Sequence, residues 1–323
     1  MTWLTFAELD AQADAFDAEV ARTPGVDRFC SSTPWILPAQ AAFCPAAAPL
    51  VFADPTGYVA MMTVPVGSGH HAAVPLEAGW GLAAPFAGAK PEALIEGFFL
   101  ALADPPTPVD ALFLSGLPYR GIWMDAAARV FARNHRLGIG QTCQRRAARI
   151  DDGPEGFLGR RSSRFRANLR RAERVAQAGG VVFERHRGGD GEALYRRILA
   201  IETRSWKGRE GQGIDGEPTC DFYRRIIKRL LARGGLRAVF ATRDGADLAF
   251  VFGGVVDGTY RGLQVSFDAD HTDLSLGNLA QWEMIRLLCE EGVATYDLGT
   301  DMPYKRRWAE PGLQTVTLAI MNR

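Results

Sequence analysis

The chain has 323 residues with 37 acidic and 37 basic side chains, so its formal net charge is zero and no overall field attracts nucleic acid or a membrane surface. Its 47% hydrophobic and 23% charged residues are ordinary for a globular protein with room for two domains. The five cysteines are widely spaced and form no Cys-x-x-Cys pair, which predicts neither a disulfide framework nor a metal site and favours a cytoplasmic setting.

The N-terminal segment MTWLTFAELDAQADAF is acidic and amphipathic, and it lacks the basic start and apolar core of a signal peptide. The longest helical apolar stretch, ALIEGFFLALA, contains Glu96 and is too short to span a bilayer. We therefore expect a soluble protein with no membrane span.

Two pairs of segments resemble each other along the chain. LVFADPTGYVAMMTVPV, from Leu50, and AVFATRDGADLAFVFGG, from Ala238, each predict a strand, a tight turn and a strand. DALFLSGLP and ATYDLGTDMP follow later, and a predicted helix precedes each of them, at 91–103 and 277–291. The same element order in both halves predicts two copies of one α/β unit with mixed sheets. We expect the units at 1–155 and 156–323.

An arginine-rich segment, predicted as a helix over 156–178, links the two halves. Its apolar residues recur at helical spacing and Gly179 and Gly180 end it; these apolar residues are Phe165, Leu169, Ala172 and Ala176. The other face carries most of seven arginines. Such a face is usually solvated, and the alternative is a phosphate-rich partner. If that partner is tRNA, the residues expected to contact its phosphates are Arg166, Arg170 and Arg174.

The second copy contains a candidate phosphate cradle. A loop with a serine and a glycine turns into the predicted helix at 277–291, and the unpaired N–H groups of a helix N-terminus suit a pyrophosphate. The residues predicted to bind it are Ser275, Leu276, Gly277, Asn278 and Leu279. In the first copy, Pro91 removes one N–H at this point and Glu92 adds negative charge. We therefore assign cofactor binding to the second copy, and to the first a role in shaping the acceptor cleft.

Four stretches of the second half resemble a known superfamily: FRANLRRAERVAQAGG, ETRSWKGREGQGI, SLGNLAQWEMIRLLCEEG and YDLGTDMPYKRRW. Together they resemble the GNAT acyltransferases, in the BioF2-like or CelD-like branch, which is related to the Fem-type transferases with two tandem GNAT units. The resemblance covers most of the chain. It implies two GNAT-like units, the first degenerate, and transfer of an acyl group to an amine.

The resemblance also bears on the donor. The usual GNAT cradle is Gln or Arg, two residues, Gly, one residue, then Gly or Ala; here Leu274 and Leu279 stand at its ends and only Gly277 matches. The superfamily implies acetyl-CoA or another acyl-CoA, whereas Fem-type relatives use aminoacyl-tRNA. The FK-x-x-F ending of those relatives is similar to Tyr304–Trp308, YKRRW.

Lysine is rare in this chain, at four of the 37 basic residues, and Lys305 follows the predicted TYDLG strand. A lysine is a compact point charge that can approach a single oxygen, whereas arginine presents a planar fork. We expect Lys305 to stabilise the oxyanion or a phosphate during transfer. Tyr304 is a candidate to protonate a leaving thiolate, and packing beside the cleft is its alternative role.

Three residues are candidates for the general base that takes a proton from the amine. Glu202 lies on a predicted helix of the second copy, where an ordinary surface position is the alternative. Asp297 lies within an apolar strand, where burial is costly without a partner and a structural role is the alternative. His271 lies in the loop ahead of the cradle.

The segment SWKGREGQGI contains three glycines and is predicted to be a mobile loop. Trp206 and Lys207 in this loop, together with His271 and Trp308, are our candidates for binding the substrate. The acceptor is expected to be a small-molecule or sugar amine, and the sequence leaves sugar amines, amino acids and peptide amines open as alternatives.

Three functions are compatible with these features. The first is an N-acyltransferase that uses an acyl-CoA and acts on a small molecule or an envelope-polysaccharide precursor. The second is a Fem-like transferase that uses aminoacyl-tRNA. The third is a non-catalytic binding subunit of a polysaccharide assembly, which the poor cradle match favours and Lys305 and Gly277 oppose.

Overall fold

The computed structural model describes residues 1–67 and 69–322. The strands are β1 (Thr2–Leu4), β2 (Ala48–Asp54), β3 (Gly57–Gly67), β4 (His70–Pro75), β5 (Phe86–Ala87), β6 (Ala111–Pro118), β7 (His135–Arg149), β8 (Val182–His186), β9 (Leu236–Arg243), β10 (Ala246–Val256), β11 (Thr259–Phe267), β12 (Thr295–Thr300) and β13 (Glu310–Asn322). The helices are α1 (Phe6–Ala11), α2 (Ala13–Arg22), α3 (Thr33–Phe43), α4 (Pro91–Ala101), α5 (Ile122–Phe131), α6 (Gly153–Gly159), α7 (Ser163–Ala178), α8 (Gly191–Arg204), α9 (Trp206–Arg209), α10 (Thr219–Ala232) and α11 (Leu276–Glu290). Short 3₁₀ helices cover Ala269–Leu274 and Pro303–Arg307.

The chain forms two compact units. The first contains Met1–Gln144 and the C-terminal segment from Leu313, and the second contains Arg145–Gly312. The sequence-based boundary at 155/156 falls inside α6. The C-terminal segment returns to the first unit because β13 pairs with β6, with Val316 opposite Leu117. A non-local strand pairing of this kind has no signature in the local sequence pattern.

The first unit is built on a sheet with the strand order β1-β2-β3-β4-β6-β13. Neighbouring strands are antiparallel except β4 and β6, which are parallel at Ala72↔Ala111 and Ala73↔Leu112. Helix α4 supplies the crossover between these two strands, as parallel pairing requires. The helix confirms the prediction at 91–103.

The second unit repeats this arrangement in the order β8-β9-β10-β11-β12, with residues 145–149 of β7 paired to β12. The β9–β10 hairpin turns at Asp244 and Gly245, both with positive φ, and α11 is the crossover between the parallel strands β11 and β12. Helix α11 confirms the helix predicted at 277–291. Both units therefore contain an antiparallel hairpin, a third strand, a helix and a parallel strand, as the internal repeat predicted.

The arginine-rich segment differs from its prediction as one helix over 156–178. It forms two helices, α6 and α7, because the Ser162 side chain accepts a hydrogen bond from the Phe165 N–H and caps the start of α7. The predicted apolar face of α7 is confirmed: Leu169 and Ala176 are buried, and Phe165 and Ala172 pack against the same core.

Each unit has its own aromatic core. In the first unit, Phe86 and Trp123 stack with ring centroids 4.7 Å apart and both are buried. In the second unit, Phe157 stacks between Trp282 and Trp308, at 5.8 and 6.2 Å. Because each core is contributed by residues of one unit, each unit has the interior of a folded domain.

Within residues 1–67 and 69–322, no helix has the length and apolar character needed to cross a membrane. In the same part of the chain, no group of three His, Cys, Asp or Glu side chains is arranged to hold a metal ion.

Candidate active site in the second unit

The candidate site lies where β11 and β12 stop pairing. The two strands are paired through Arg261↔Asp297, but β11 continues to Phe267 and β12 to Thr300. A bulge at Leu263 interrupts the register of β11 with β10 and re-aims the side chains that follow. Beyond Arg261 and Asp297, β11 and β12 no longer pair with each other.

Asp297 is held by two guanidinium groups. Its Oδ2 accepts a hydrogen bond from Arg145 Nη2 at 2.5 Å, and its Oδ1 accepts from Arg261 Nη1 at 2.9 Å and from the Gly299 N–H at 2.7 Å. Burial raises the pKa of this carboxyl, but Arg261 and Arg145 outweigh burial and lower it. A carboxylate with a low pKa and filled acceptor positions is a weak proton acceptor, so the geometry favours a structural role for Asp297 over the role of base.

Lys305 lies in the 3₁₀ helix that follows β12. Its Nζ donates a hydrogen bond to the Thr300 carbonyl at 3.0 Å. Burial and the nearby Arg261 lower the pKa of Lys305 to about 8. Tyr304 is 44% exposed, and burial of its hydroxyl raises its pKa, which keeps it protonated and able to donate. The structure therefore places the predicted Tyr304 and Lys305 at the same strand end as Asp297.

Glu202 is fully buried near the C-terminal end of α8, which excludes an ordinary surface position. Lys207 Nζ lies 3.4 Å from Glu202 Oε1 and donates a hydrogen bond to the Val265 carbonyl of β11 at 3.1 Å. Among the described residues, neither carboxylate oxygen of Glu202 has a hydrogen-bond partner of good geometry. A buried carboxylate in this state has capacity to accept a proton from a substrate.

The predicted loop at SWKGREGQGI begins with α9, which Ser205 caps by accepting from the Gly208 N–H. A Cβ on Gly208 would lie 2.2 Å from the Glu202 carbonyl oxygen, so glycine is required for this close approach. Trp206 is 49% exposed, whereas Lys207 is largely buried. The start of this loop therefore packs directly against the main chain of Glu202.

The predicted cradle has fewer N–H groups available to bind an anion than the sequence suggests. The N–H groups of Asn278 and Leu279 both donate to the Ser275 carbonyl. Within the described part of the chain, this leaves the N–H groups of Leu276 and Gly277 for an anion. Ser275 has φ 54° and does not cap the helix with its side chain. A Cβ on Gly277 would meet the Phe267 ring at 3.0 Å, so this glycine serves the packing of α11 against β11.

A cavity of about 680 Å³ lies in front of this helix start. Its walls come from α7 and from the segments before α11 and after β12, and they include Arg164, Asn168, Arg171, Ser275, Asn278 and Arg307. Arg307 Nη2 donates to Asn278 Oδ1 at 3.1 Å and so ties two walls together. Asp273 also lines the cavity, but three arginines beside a helix N-terminus outnumber this carboxylate and make the cavity suitable for phosphate groups.

The three arginines predicted to contact tRNA have different surroundings. Arg166 is half-buried and donates to the Leu158 and Arg161 carbonyls, so it stabilises the junction of α6 and α7. Arg170 and Arg174 are exposed and line a second, open groove of about 660 Å³ with Arg286. The predicted row of three therefore reduces to two arginines on the free surface of α7.

Two predicted substrate-binding residues have other contacts. Trp308 is 2% exposed and packs against Phe157 and Phe165, so it belongs to the core and only its edge reaches the cavity. His271 Nε2 lies 2.8 Å from Arg243 Nη2 and accepts a hydrogen bond from this guanidinium, which can only donate. This contact orients His271 within the 3₁₀ helix.

Sequence reasoning missed three residues of this site: Arg145, Arg261 and Tyr223. Arg145 and Arg261 are 1% and 6% exposed, although arginine is rarely buried. Arg145 lies between Gln144 and Arg146, and Arg261 lies between Tyr260 and Gly262, so no local pattern distinguishes them from the other arginines. Burial and the charge of Glu202 raise the pKa of Tyr223 to about 12, against the opposing effect of Arg261.

Comparisons with known proteins agree with this architecture. Residues 163–306 match the family model described as "Acetyltransferase (GNAT) domain". No curated protein matches the chain. The solved structure of FemX is 13% identical, with a TM-score of 0.67, over 94% of this chain and 95% of that one. A conserved protein of unknown function from Bacteroides thetaiotaomicron VPI-5482 is 12% identical, with a TM-score of 0.64, over 97% of both chains.

A third solved structure has a similar fold. The C-terminal domain (DUF2156) of a putative lysylphosphatidylglycerol synthetase from Agrobacterium fabrum is 13% identical, with a TM-score of 0.57, over 95% of this chain and 92% of that one. At these identities the solved structures establish the fold, and the family model establishes the domain. Residues 163–306 match a GNAT acetyltransferase domain, and the chain has the fold of two tandem GNAT-like units.

Proposed function

We propose that the protein is an N-acyltransferase that moves an acyl group from an acyl-CoA to the amine of a small molecule or an envelope-polysaccharide precursor in the cytoplasm. This proposal rests mainly on the surroundings of Glu202. Glu202 is fully buried, its oxygens accept no hydrogen bond among the described residues, and its partner Lys207 is bonded to the part of β11 that does not pair with β12. This arrangement suits a base that acts on an amine there.

The donor's phosphates fit the cavity in front of α11. The N–H groups of Leu276 and Gly277 and the side chains of Arg164, Arg171 and Arg307 supply its donors and positive charge. Leu274 and Leu279, which depart from the usual cradle pattern, are 7% and 1% exposed. These two positions serve the core, so their departure leaves the phosphate donors in place.

The remaining steps follow from the placement of the side chains. An acyl-CoA supplies the acyl carbon and a leaving thiolate. Glu202 takes a proton from the acceptor amine, which makes the nitrogen nucleophilic. The Lys305 ammonium stabilises the negative charge that develops on the acyl oxygen, and the Tyr304 hydroxyl donates a proton to the leaving sulfur. Asp297 takes no proton and holds Arg145 and Arg261 in position.

The test is turnover of acetyl-CoA and longer acyl-CoAs with a panel of amines. Loss of one donor to an oxyanion costs about a hundred- to a thousandfold in kcat, and we expect this loss for Lys305→Ala with an unchanged melting temperature. Lys305→Arg should also be impaired, because a planar fork cannot occupy the same point. If the alanine variant keeps more than about a third of the turnover, a difference below about 1 kcal/mol, Lys305 has no part in the reaction.

A second candidate function is a transferase that uses aminoacyl-tRNA. The open groove beside Arg170 and Arg174 favours it, because two exposed arginines on one face of α7 can follow a phosphate backbone. Arg286 of α11 also lines the groove and is paired with Glu173. Filter binding at low salt separates the two donors. If no tRNA associates with the protein, this candidate fails. If acyl-CoA binds and no amine is acylated, the protein is the non-catalytic binding subunit described above.

A further inference from the structure

The Lys207 ammonium occupies a position that suits the acceptor amine of the proposed reaction. Its Nζ lies 3.4 Å from Glu202 Oε1 and donates a hydrogen bond to the Val265 carbonyl at 3.1 Å. Glu202 is the proposed base, and a primary ammonium on an aliphatic chain is the group from which this base takes a proton. Contacts of catalytic groups are often slightly long before the substrates bind. The chain therefore holds an amine of its own against its candidate base.

The other lysines of the chain have different surroundings. Among the described residues, Lys207 is the one lysine that forms an ion pair with a carboxylate. Lys90 and Lys228 are exposed, at the start of α4 and on α10. Lys305 donates to a main-chain carbonyl. A reaction that needs a base beside the amine would therefore select Lys207 from the four.

Burial makes the Lys207 amine more reactive without sealing it. The side chain is 17% exposed, so a second reactant has access to it. Burial lowers the pKa of Lys207, and the charge of Glu202 opposes that shift. A lower pKa increases the neutral fraction of the amine at a given pH, and the neutral amine is the nucleophile.

Strand β11 links the Lys207 ammonium to the helix start that is assigned to the donor's phosphates. The Val265 carbonyl holds this ammonium, and Phe267 lies two residues further along the strand. The Phe267 ring faces Gly277, since a Cβ there would lie 3.0 Å from it. Two residues of a strand span about 7 Å. The pantetheine arm between the pyrophosphate and the thioester of an acyl-CoA is longer than this, so a donor bound at Gly277 is long enough to reach Lys207.

A second contact ties α9 to the same helix start. Arg209 Nη2 lies 2.9 Å from Asp270 Oδ2, and Asp270 belongs to the short 3₁₀ helix that ends directly before Ser275. Lys207 and Arg209 are both in α9. Two contacts from different residues of α9 therefore hold the amine near the segment assigned to the donor.

We propose that the protein acylates itself: Lys207 Nζ attacks the thioester carbon of a bound acyl-CoA, and Lys207 becomes an N-acyl-lysine. This inference rests on the proposed function, since it uses the same donor and the same base. The N–C bond forms and the C–S bond breaks. The ammonium loses two protons, of which Glu202 takes one before the attack and the leaving thiolate takes the other, so CoA leaves as the free thiol.

Self-acylation changes the contact on which α9 packs. An N-acyl-lysine carries no charge, so Glu202 has no cation beside it once it passes its proton to water. A buried carboxylate without a cation is costly. The acylated protein should therefore melt at a lower temperature than the unmodified protein, and the start of α9 should be held less firmly against Glu202.

The experiment uses the full chain with saturating acetyl-CoA and no added amine. Peptide mass spectrometry follows the acetylation of each lysine with time. We expect Lys207 to be acetylated about a hundredfold or more faster than the exposed Lys90 and Lys228, the typical contribution of a positioned base. The rate per molecule should not change when the protein is diluted, because the reaction takes place within one chain. Denatured protein should lose the preference for Lys207.

Two variants test the roles of the pair. Glu202→Gln should slow acetylation of Lys207 about a hundredfold and leave Lys90 and Lys228 unchanged. Lys207→Arg keeps a cation beside Glu202 and should carry no acetyl group at this position, because a guanidinium stays protonated. Arg225→Gln, an exposed change on α10, is the control and should behave as the unaltered protein. If Glu202→Gln does not fold, the comparison of lysines within the unaltered protein still decides.

Three results would overturn the proposal: equal acetylation of Lys207 and the exposed lysines, an unchanged rate at Lys207 in folded Glu202→Gln, or no acetylation of Lys207. The proposed function is tested separately, with added amines. If amines are acylated and Lys207 is not, only self-acylation fails. If Lys207 is acylated and no amine is, only transfer to a free amine fails. If neither reacts, both proposals fail.

Discussion

The ammonium of Lys207 lies 3.4 Å from the carboxylate of Glu202, a side chain with no exposed surface. Burial lowers the pKa of Lys207, and the charge of Glu202 opposes that shift. The pair joins the end of α8 to the Val265 carbonyl of β11. The contact between Lys207 and Glu202 therefore links α8 to β11 and also involves the candidate base. Variants can separate the structural role from the catalytic role.

Removal of Lys207 should destabilise the protein more than neutralisation of Glu202. Lys207→Met leaves a buried carboxylate with no cation, at a cost of about 3–5 kcal/mol or roughly 6–20 °C in melting temperature. Glu202→Gln removes the buried charge as well and should cost less. Thermal unfolding of the two variants checks the order. Equal melting temperatures would mean that Lys207 does not compensate a buried charge on Glu202.

Glu202→Gln should lower kcat about a hundred- to ten-thousandfold, because a neutral amide of the same shape cannot take a proton. The Michaelis constants for donor and acceptor should change little. The matched control is Asp297→Asn, which we expect to reduce the melting temperature through its effect on Arg145 and Arg261. If Glu202→Gln retains near-normal turnover, the base is elsewhere.

Activity should fall as the pH rises through about 8. Lys305 stabilises charge only when it is protonated, and burial lowers its pKa to about 8, so protonated enzyme predominates below that pH and is lost above it. The high-pH limb of kcat/KM reports this group in the free enzyme. Lys305→Ala should remove the limb as well as most of the rate. A limb that persists in that variant belongs to another group.

The two flanks of α7 should respond differently to loss of arginine. Arg164→Gln with Arg171→Gln changes the cavity before α11 and should raise the KM for acyl-CoA about tenfold or more, as expected for charge-assisted hydrogen bonds. Arg170→Gln with Arg174→Gln changes the open groove and removes the same charge. For an acyl-CoA donor this second pair should leave KM unchanged. The reverse order would favour a tRNA donor, with a flattened salt dependence of binding.

Gly208 should not tolerate alanine. Its Cβ would lie 2.2 Å from the Glu202 carbonyl oxygen, and overpacking of this kind costs about 1–3 kcal/mol. Gly216→Ala is the matched control in the same loop region, because its Cβ has no heavy atom within 4 Å. Thermal unfolding and turnover of both variants should separate them. Equal behaviour would indicate that α9 can move away from Glu202.

Local sequence patterns were sufficient for much of the architecture. Apolar runs with turn residues predicted the hairpins of both units, and apolar spacing predicted the buried face of α7 with Leu169 and Ala176. These features depend on neighbours within a few residues, so their period is visible in the chain. The break between α6 and α7 was missed, although Ser162 is a typical N-cap residue.

The candidate site depends on contacts between distant parts of the chain. Asp297 was visible in its apolar strand, but 33 arginines offered no local reason to choose Arg145 and Arg261 as its partners. The pairing of β12 with β7 on one side and with β11 on the other brings these two beside it. By itself the sequence determined the repeated unit and the helix that opens the cradle. Only the tertiary structure decided which charges meet, because strand register is set by packing across the whole sheet.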